Sequence, residues 1–445
     1  MTASGALDRM VRLVRDAVPD NVPDDFIVDR FQGVRVRCLA DQANLATHSG
    51  QTALVTLVSL IARMGVQTDL DVPNVELVGP QPPLRGTRLR QSLMDLGADL
   101  VPGSSVTCGA GSPYDLTFVL GDTPVASEGR GWRLTGTGWA GAITSMDRMV
   151  PPWNAGDPIG GMTAAALAAP EVFKFVVRSF PLRHPFWKEL LAPSQSASWD
   201  FEGEGLILPR EPVAMDIISA GAITQAALFA LFRLPLRLKG RIFDRDIAEL
   251  SNVNRQMLFR RSDTGPKVNI VAGVAPATSA CTPVAEHFDL SGSARHLPLA
   301  RQVLVGVDDI PARWDVQRAA TGWLGVGASS HFEASVSSHD VGQPCAGCLH
   351  ATVDPLDGDA PIPTVSFVSF WAGLALAVRL LRHLGGKPYG AGSHHLWMAP
   401  LRMDQPNAGL WRPVAARSDC PVHCAASARV PNRAGERLSV GTSAA

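Results

Sequence analysis

Val34-Arg35-Val36-Arg37-Cys38-Leu39 alternates apolar and polar side chains, the period-two pattern of a half-buried strand. Between Gln51 and Met64, Leu54, Leu57, Val58, Leu60 and Ile61 then recur at helical spacing, so a βα unit opens here. Val75 to Val78 reads as a second strand, Leu84 to Leu96 as a second helix and Asp115 to Leu120 as a further strand, which predicts a compact α/β wrap from about residue 30 to 125. Gly129 to Gly141, rich in Gly, Trp and Thr, predicts a hairpin, and an Ala-rich helix starts near Met162. The polar, turn-prone stretch from Ala192 to Gly205 separates this block from a second one. There the strand Val213–Ile218, a short loop, the helix Gln225–Phe232 and later the apolar strand Gln302–Val307 repeat the βα theme. The expectation is an α/β chain of two Rossmann-like halves, 1–205 and 206–445, with internal duplication as the economical explanation.

Length and composition agree with two domains, since 445 residues that are 46% hydrophobic can bury two cores of ordinary size. The apolar run from Ile362 to Leu381 approaches the length of a membrane span, but Pro363, Ser366, Ser369, Arg379 and Arg382 predict a core helix buried between the halves, and no membrane partner. With 40 Lys+Arg against 41 Asp+Glu the chain lacks the basic surplus that nucleic-acid binding requires. The seven cysteines are odd in number and four form two close pairs, which fits a thiol-keeping cytoplasm better than a disulfide framework. The N-terminal segment has no apolar signal core, so export is not expected.

The two halves differ in candidate chemistry. The first strand of the N-terminal half leads into Asp41-Gln42-Ala43-Asn44-Leu45-Ala46-Thr47-His48-Ser49-Gly50, with one glycine and no phosphate-cradling pattern, so this half is expected to be catalytically silent. In the C-terminal half the equivalent turn is Ser219-Ala220-Gly221-Ala222-Ile223-Thr224. Gly221 keeps the position where a backbone amide approaches a phosphate, while Ser219 and Thr224 replace the first and third glycines of the usual turn. Asp244 ends the next strand, about 20 residues on, where such folds place an acid against ribose hydroxyls.

Asp244-Arg245-Asp246 is followed by Ser251-Asn252-Val253-Asn254-Arg255-Gln256, then Lys267, then Val305-Gly306-Val307-Asp308-Asp309 with Arg313, then Cys345-x-x-Cys348 and Cys420-x-x-x-Cys424. In this order the series resembles the ubiquitin-activating enzyme family and its ThiF and MoeB adenylyltransferase relatives, from about residue 205 onward. Within it, the two-half arrangement resembles the activating enzyme of bacterial ubiquitin-like, Bil-type antiviral conjugation systems. The first half bears a fainter likeness to the degenerate adenylation half of two-part members.

The resemblance implies ATP binding by Gly221, Asp244, Asp246, Asn252, Arg255, Gln256, Lys267 and Asp308. Arg255 and Lys267 would stabilise phosphate charge and Asp308 would hold Mg2+. Asp309 stands where the family usually has Asn; it is either a second metal carboxylate or, the favoured reading, the cap of a helix beginning near Pro311. Cys345, Cys348, Cys420 and Cys424 predict a closed structural Zn2+ site, with His423 as an alternative ligand in the wider second clip. Of the other cysteines, Cys38 reads as buried and inert. Thioester-forming relatives tend to carry their nucleophile in the crossover before the long helix, where this chain has Ser366 and Ser369 and no cysteine; Cys108 and Cys281 remain as outside candidates.

The expected function is therefore ATP-dependent adenylation of the C-terminal carboxylate of a ubiquitin-like protein, with a conjugating enzyme as a further partner and homodimerisation as an option. Three alternatives stay open: a sulfur-carrier-type or peptide-adenylating ThiF-like enzyme, a nicotinamide-dependent oxidoreductase sharing the Rossmann turn and Asp244, and a non-catalytic nucleotide-binding scaffold.

Overall fold

The alternation at Arg35 becomes the first strand of a sheet that fills the N-terminal half of the computed structural model. The structure describes residues 2–429 apart from 110, 112, 126–128, 154–155, 204, 354–361 and 391. Two helices, α1 (Ala3–Arg15) and α2 (Asp24–Gln32), precede it. Then follow β1 (Arg35–Leu39), α3 (His48–Ala62), β2 (Gln67–Asp71), α4 (Leu89–Ala98), β3 (Val106–Thr107), β4 (Leu116–Leu120), β5 (Gly131–Thr137), β6 (Ala140–Ser145), α5 (Pro158–Val177), α6 (Pro185–Leu190) and β7 (Ala197–Asp200). The second half runs β8 (Val213–Ile218), α7 (Ala222–Leu231), β9 (Leu238–Phe243), α8 (Lys267–Gly273), β10 (Ala280–Val284), β11 (Gln302–Val305), α9 (Ile310–Ala319), β12 (Trp323–Ser330), β13 (Glu333–His339), α10 (Ala346–Leu349), α11 (Ser366–Leu384), β14 (His394–Met398) and β15 (Gly409–Pro413).

The two sheets have the orders β3-β2-β1-β4-β5-β6-β7 and β10-β9-β8-β11-β12-β13-β14-β15. In the first, β3 through β5 are parallel and β6 and β7 antiparallel. In the second, β10 through β12 are parallel and β13 to β15 antiparallel. Strand for strand the orders coincide, apart from the extra β15. The covering helices coincide too: α3 and α7 each follow the first strand, α5 and α11 each follow the hairpin, and within each half the two pack together. The architecture is thus α/β with two mostly parallel sheets of the same winding, which internal duplication explains.

The two halves share one core rather than meeting across a wet surface. Helices α5 and α11 are both long and apolar enough to cross a bilayer, yet nearly every residue in them is buried. In α11 the Trp371 indole donates to the Ala166 carbonyl of α5 at 3.0 Å and the Ser366 hydroxyl to the Leu60 carbonyl of α3 at 2.9 Å. The core helix expected from Ile362 onward therefore does lie between the halves.

Three local expectations change. Val75 to Val78 is no strand, only Glu76 making an isolated bridge to Arg88; the second strand is Gln67–Asp71. That segment, Gln67-Thr68-Asp69-Leu70-Asp71, has a single apolar side chain, and its buried Asp69 accepts from the Tyr114 hydroxyl, so tertiary partners stand in for the missing alternation. The helix expected from Leu84 starts at Leu89, because Arg88 is held in the bridge to Glu76. The polar stretch after Ala192 contains β7, which closes the edge of the first sheet.

Candidate functional site

Neighbouring strands β8 and β11 send their chains off in opposite directions, and the crevice beyond their C-terminal ends is where open α/β sheets bind ligands. Ser219 leaves β8 with φ +83°, the left-handed conformation that glycine would adopt without strain. Its hydroxyl accepts from the Gly221 amide at 3.1 Å, and Thr224 donates from its hydroxyl to the Ser219 carbonyl at 2.7 Å. The two substitutions that break the glycine pattern thus lock the turn with hydroxyls. Gly221 is the N-cap of α7 and supplies no side chain to its amides, so the positive end of the helix dipole opens into the crevice. On the other side Gly306 follows β11; a Cβ there would lie 2.8 Å from the Thr224 methyl, so only glycine lets the two strand ends close up.

The segment after β9 is tied to this turn. Asp244 accepts from the Ala220 amide through one carboxylate oxygen and from the Asp246 amide through the other, both at 2.8 Å, leaving further lone pairs for a hydroxyl ligand. Asn252 and Glu249 form a reciprocal capping box around a short 3-10 turn, 250–252. Gln256 accepts at 2.9 Å from the wholly buried Gln225 of α7, whose amide also reaches the Ala220 carbonyl. Asn252 and Gln256 therefore hold the loop as well as face the crevice. Arg255 is buried and donates to the Ser251 carbonyl and Asn254; burial, and then the nearby cation of Arg9, lower its pKa to about 10. Lys267, the buried first residue of α8, pairs with Asp246 at 2.8 Å.

From the β11 side come Asp308 and Asp309. Asp309 caps α9 by accepting from the Ala312 amide at 2.6 Å, so the cap is its observed role. Arg313 clasps the Val307 carbonyl with two nitrogens, at 2.9 and 3.0 Å, and fixes the peptide that presents Asp308. All eight crevice residues singled out from the sequence, Gly221, Asp244, Asp246, Asn252, Arg255, Gln256, Lys267 and Asp308, line one cavity of about 740 Å³. The sequence reading missed Arg9, which enters the same cavity from α1 and is anchored by a 3.0 Å bond to the Ile362 carbonyl. It also missed Glu286, His287 and Phe288 at the end of β10 and Ser329 at the end of β12. Nothing local marks Arg9, because only the fold carries the N-terminal helix to a site 240 residues downstream.

The corresponding crevice of the first half is filled. Wholly buried Asn44 has its amide nitrogen within hydrogen-bond reach of Asp41, Asp122 and Thr123 and accepts from the Trp153 amide at 2.7 Å, and the Trp153 indole, 2% exposed, donates to Ser49 in α3. A Cβ on Gly121, which follows β4 as Gly306 follows β11, would lie 2.0 Å from the Asn44 oxygen. Side chains occupy the space that stays open beyond β8 and β11.

The four clip cysteines meet, with every sulfur within 4.8 Å of the others and the hydrogen-bonded pairs at 3.4 to 4.0 Å. Thiolates about 2.3 Å from a tetrahedral Zn2+ lie ~3.8 Å apart, so the donor set fits that ion. His423 is exposed, outside the cluster, with φ +53°; a left-handed step absorbs the extra residue of the second clip, and all four positions fall to cysteine. The cluster braces α9: the Ala346 amide donates to Gln317, Trp314 donates to the His350 carbonyl and Arg318 to the Pro421 carbonyl.

Cys38 is buried, and burial lifts its pKa to about 12, as expected of an inert core thiol. Cys281, on edge strand β10, is pushed up to about 11 by burial, while Cys108 is exposed. Ser366 is spent on the Leu60 carbonyl, whereas Ser369 shares a hydroxyl cluster with Ser329 and Thr364 at the cavity wall. Residues 354–361 of the crossover lie outside the described residues.

Against known proteins, no curated protein matches the chain in sequence. The chain is similar to the solved structure of PaaA, with 17% identity over 45% of this chain and 64% of that one and a TM-score of 0.37; it thus spans less than two thirds of PaaA. It is also similar to two structures of E. coli MccB, one with MccA-N7isoAsn (11% identity, TM-score 0.41) and one with MccA (14%, 0.40), each covering 65% of this chain and 97% of MccB. Residues 35–182 match the family described as the BilD N-terminal domain. The matched stretch runs from β1 past α5, so the likeness to that family is one of the N-terminal half.

Proposed function

We propose that the chain uses ATP and Mg2+ to adenylate the C-terminal carboxylate of a ubiquitin-like protein, activating it for conjugation. The observation that carries this reading is the convergence of Arg9, Arg255, Lys267 and the uncapped start of α7 on one cavity that also holds Asp308 and Asp244. Among the described residues Arg9 and Arg255 are hydrogen-bonded to carbonyl and amide oxygens and to no carboxylate, so both guanidinium groups can take a phosphate oxygen without first breaking an ion pair. Asp308, presented by the Arg313 clasp, suits a Mg2+ that would offset phosphate charge.

In this reading the α7 amides and Gly221 take up phosphate oxygens, Asp244 orients the ribose, and Lys267 exchanges Asp246 for phosphate. The substrate carboxylate oxygen attacks the α-phosphorus and pyrophosphate departs, its charge stabilised by Arg255 and Arg9. We assign this chemistry to residues 206–445 together with Arg9 of α1, and a supporting role to the rest of 1–205, whose own crevice is filled. A reducing cytoplasm suits the four unpaired clip thiols. Exchange of labelled pyrophosphate into ATP, driven by the cognate ubiquitin-like protein, tests the proposal. Arg255→Ala and Asp308→Ala should each lower exchange by about 100-fold or more while the fold persists. Exchange retained in both variants would remove these residues from the reaction.

A further inference from the structure

The nucleotide-facing segment is gripped from behind by a residue of the other half. Arg63, the C-cap of α3, is 0% exposed and sends Nη1 to the Val253 carbonyl at 2.5 Å and Nη2 to the carbonyls of Met257 and Phe259 at 2.9 and 2.8 Å. Those three carbonyls bracket Asn254, Arg255 and Gln256. Among the described residues, none of its hydrogen bonds goes to a carboxylate, and its Nε has no partner. Burial, followed by the neighbouring Arg260 cation, lowers its pKa to about 9.

A buried charge with no carboxylate in hydrogen-bond reach, Asp263 acting only from a distance, is expensive, and an apolar side chain of similar volume would fill the site at lower cost. What such a side chain could not do is hold three carbonyls of one loop in a fixed arrangement, which the planar guanidinium does with two nitrogens. The same loop is fastened on its other flank by Gln225, which donates to Gln256 and accepts from the Leu258 amide. The segment is thereby clamped between a helix of each half.

We propose that Arg63 is a positioning residue for the reaction of the opposite half, setting the course of residues 253–259 so that Arg255 and Gln256 face the cavity. The proposal rests on the reading of that cavity as an ATP site. It also gives the N-terminal half a second task in that cavity, beside that of Arg9.

The test uses the full chain, with Mg-ATP as the probe. Arg63→Lys keeps the charge but loses the fork, and Arg63→Met keeps the volume but loses the charge. Arg233→Met is the control, since Arg233 is a second buried arginine joining the halves, through Gln81 and Pro82, without touching residues 253–259. Both Arg63 variants should raise the Kd for Mg-ATP about tenfold and speed amide hydrogen exchange selectively in peptides spanning 253–259, Arg63→Met more than Arg63→Lys. Arg233→Met should lower the melting temperature with Kd and that exchange pattern unchanged. If Arg63→Met fails to fold, Arg63→Lys alone decides. Wild-type Kd and unchanged exchange in a folded Arg63 variant overturn the proposal. A wild type that binds no Mg-ATP overturns the ATP reading instead, and the exchange pattern of 253–259 still reports whether the clamp exists.

Discussion

The Arg9 guanidinium on α1 and the Arg255 guanidinium after β9 face the same cavity, and after burial Arg9 is the strongest influence lowering the proton affinity of Arg255. In the ligand-free fold the repulsion between these two cations offsets what Arg9 gains from its bond to the Ile362 carbonyl and from nearby Asp8, Asp308 and Glu249. Arg9→Ala should therefore leave the melting temperature unchanged or slightly raised, within about 0.5 kcal/mol of unfolding free energy. Pyrophosphate exchange should fall by about 10- to 100-fold. A calorimetric scan beside the exchange assay checks both, and a clear loss of stability with normal exchange would make Arg9 structural.

Zinc should be present at about one ion per chain by elemental analysis. Because the clips lean on α9, which Asp309 caps and whose Arg313 fixes the peptide before Asp308, metal loss should be felt at the cavity. Cys345→Ser is expected to lower the melting temperature by about 5–10 °C and to reduce exchange as well. A wild type that is metal-free and equally stable in strong chelator would contradict the assignment.

Acyl transfer should bypass a crossover thioester. A serine hydroxyl is hardly ionised at neutral pH, and Cys281 is disfavoured by its raised pKa. With ATP and the ubiquitin-like substrate, non-reducing gels of Cys108→Ala, Cys281→Ala protein should show no thiol-sensitive adduct. An adduct lost only in one of the single variants would identify that cysteine as a nucleophile.

Acid should destabilise the second half through His339. Its Nδ1 lies 3.1 Å from the Pro344 carbonyl and Nε2 2.9 Å from the Ser337 hydroxyl, so the neutral ring donates from Nδ1 and accepts at Nε2. Burial, with Arg379, His350 and His395 nearby, lowers its pKa to about 4, below the unfolded value near 6.5. The unfolded chain thus binds more protons between those values, and stability is full above about pH 6.5 and lost as pH falls, at up to about 1.4 kcal/mol per unit. His339→Gln should flatten the fall in denaturant midpoint from pH 7 to 4.5; an unchanged slope would assign it to other groups.

Legibility followed range. Asp244 through Lys267 and Asp308 could be read directly because each sits at a strand end or in one local motif, and the fold needed only to close the crevice. Strand β2 could not, since Thr68 and Asp69 are buried by virtue of Tyr114 and β3, partners no local pattern reveals. Arg9 and Arg63 were invisible for the same reason: one is an ordinary arginine on an amphipathic helix and the other ends an apolar helix. The Asn44 plug also escaped notice, although the missing glycines around it pointed to a silent crevice.

The repeated winding makes each chain its own dimer. A pair of identical subunits would bear two equal cavities and separate on dilution, whereas here one copy has traded its cavity for Asn44 and Trp153 and cannot leave. On the reading proposed above, each chain then carries one nucleotide cavity where a symmetric pair would carry two. The half whose crevice is filled is thereby left to brace the other, as Arg63 does.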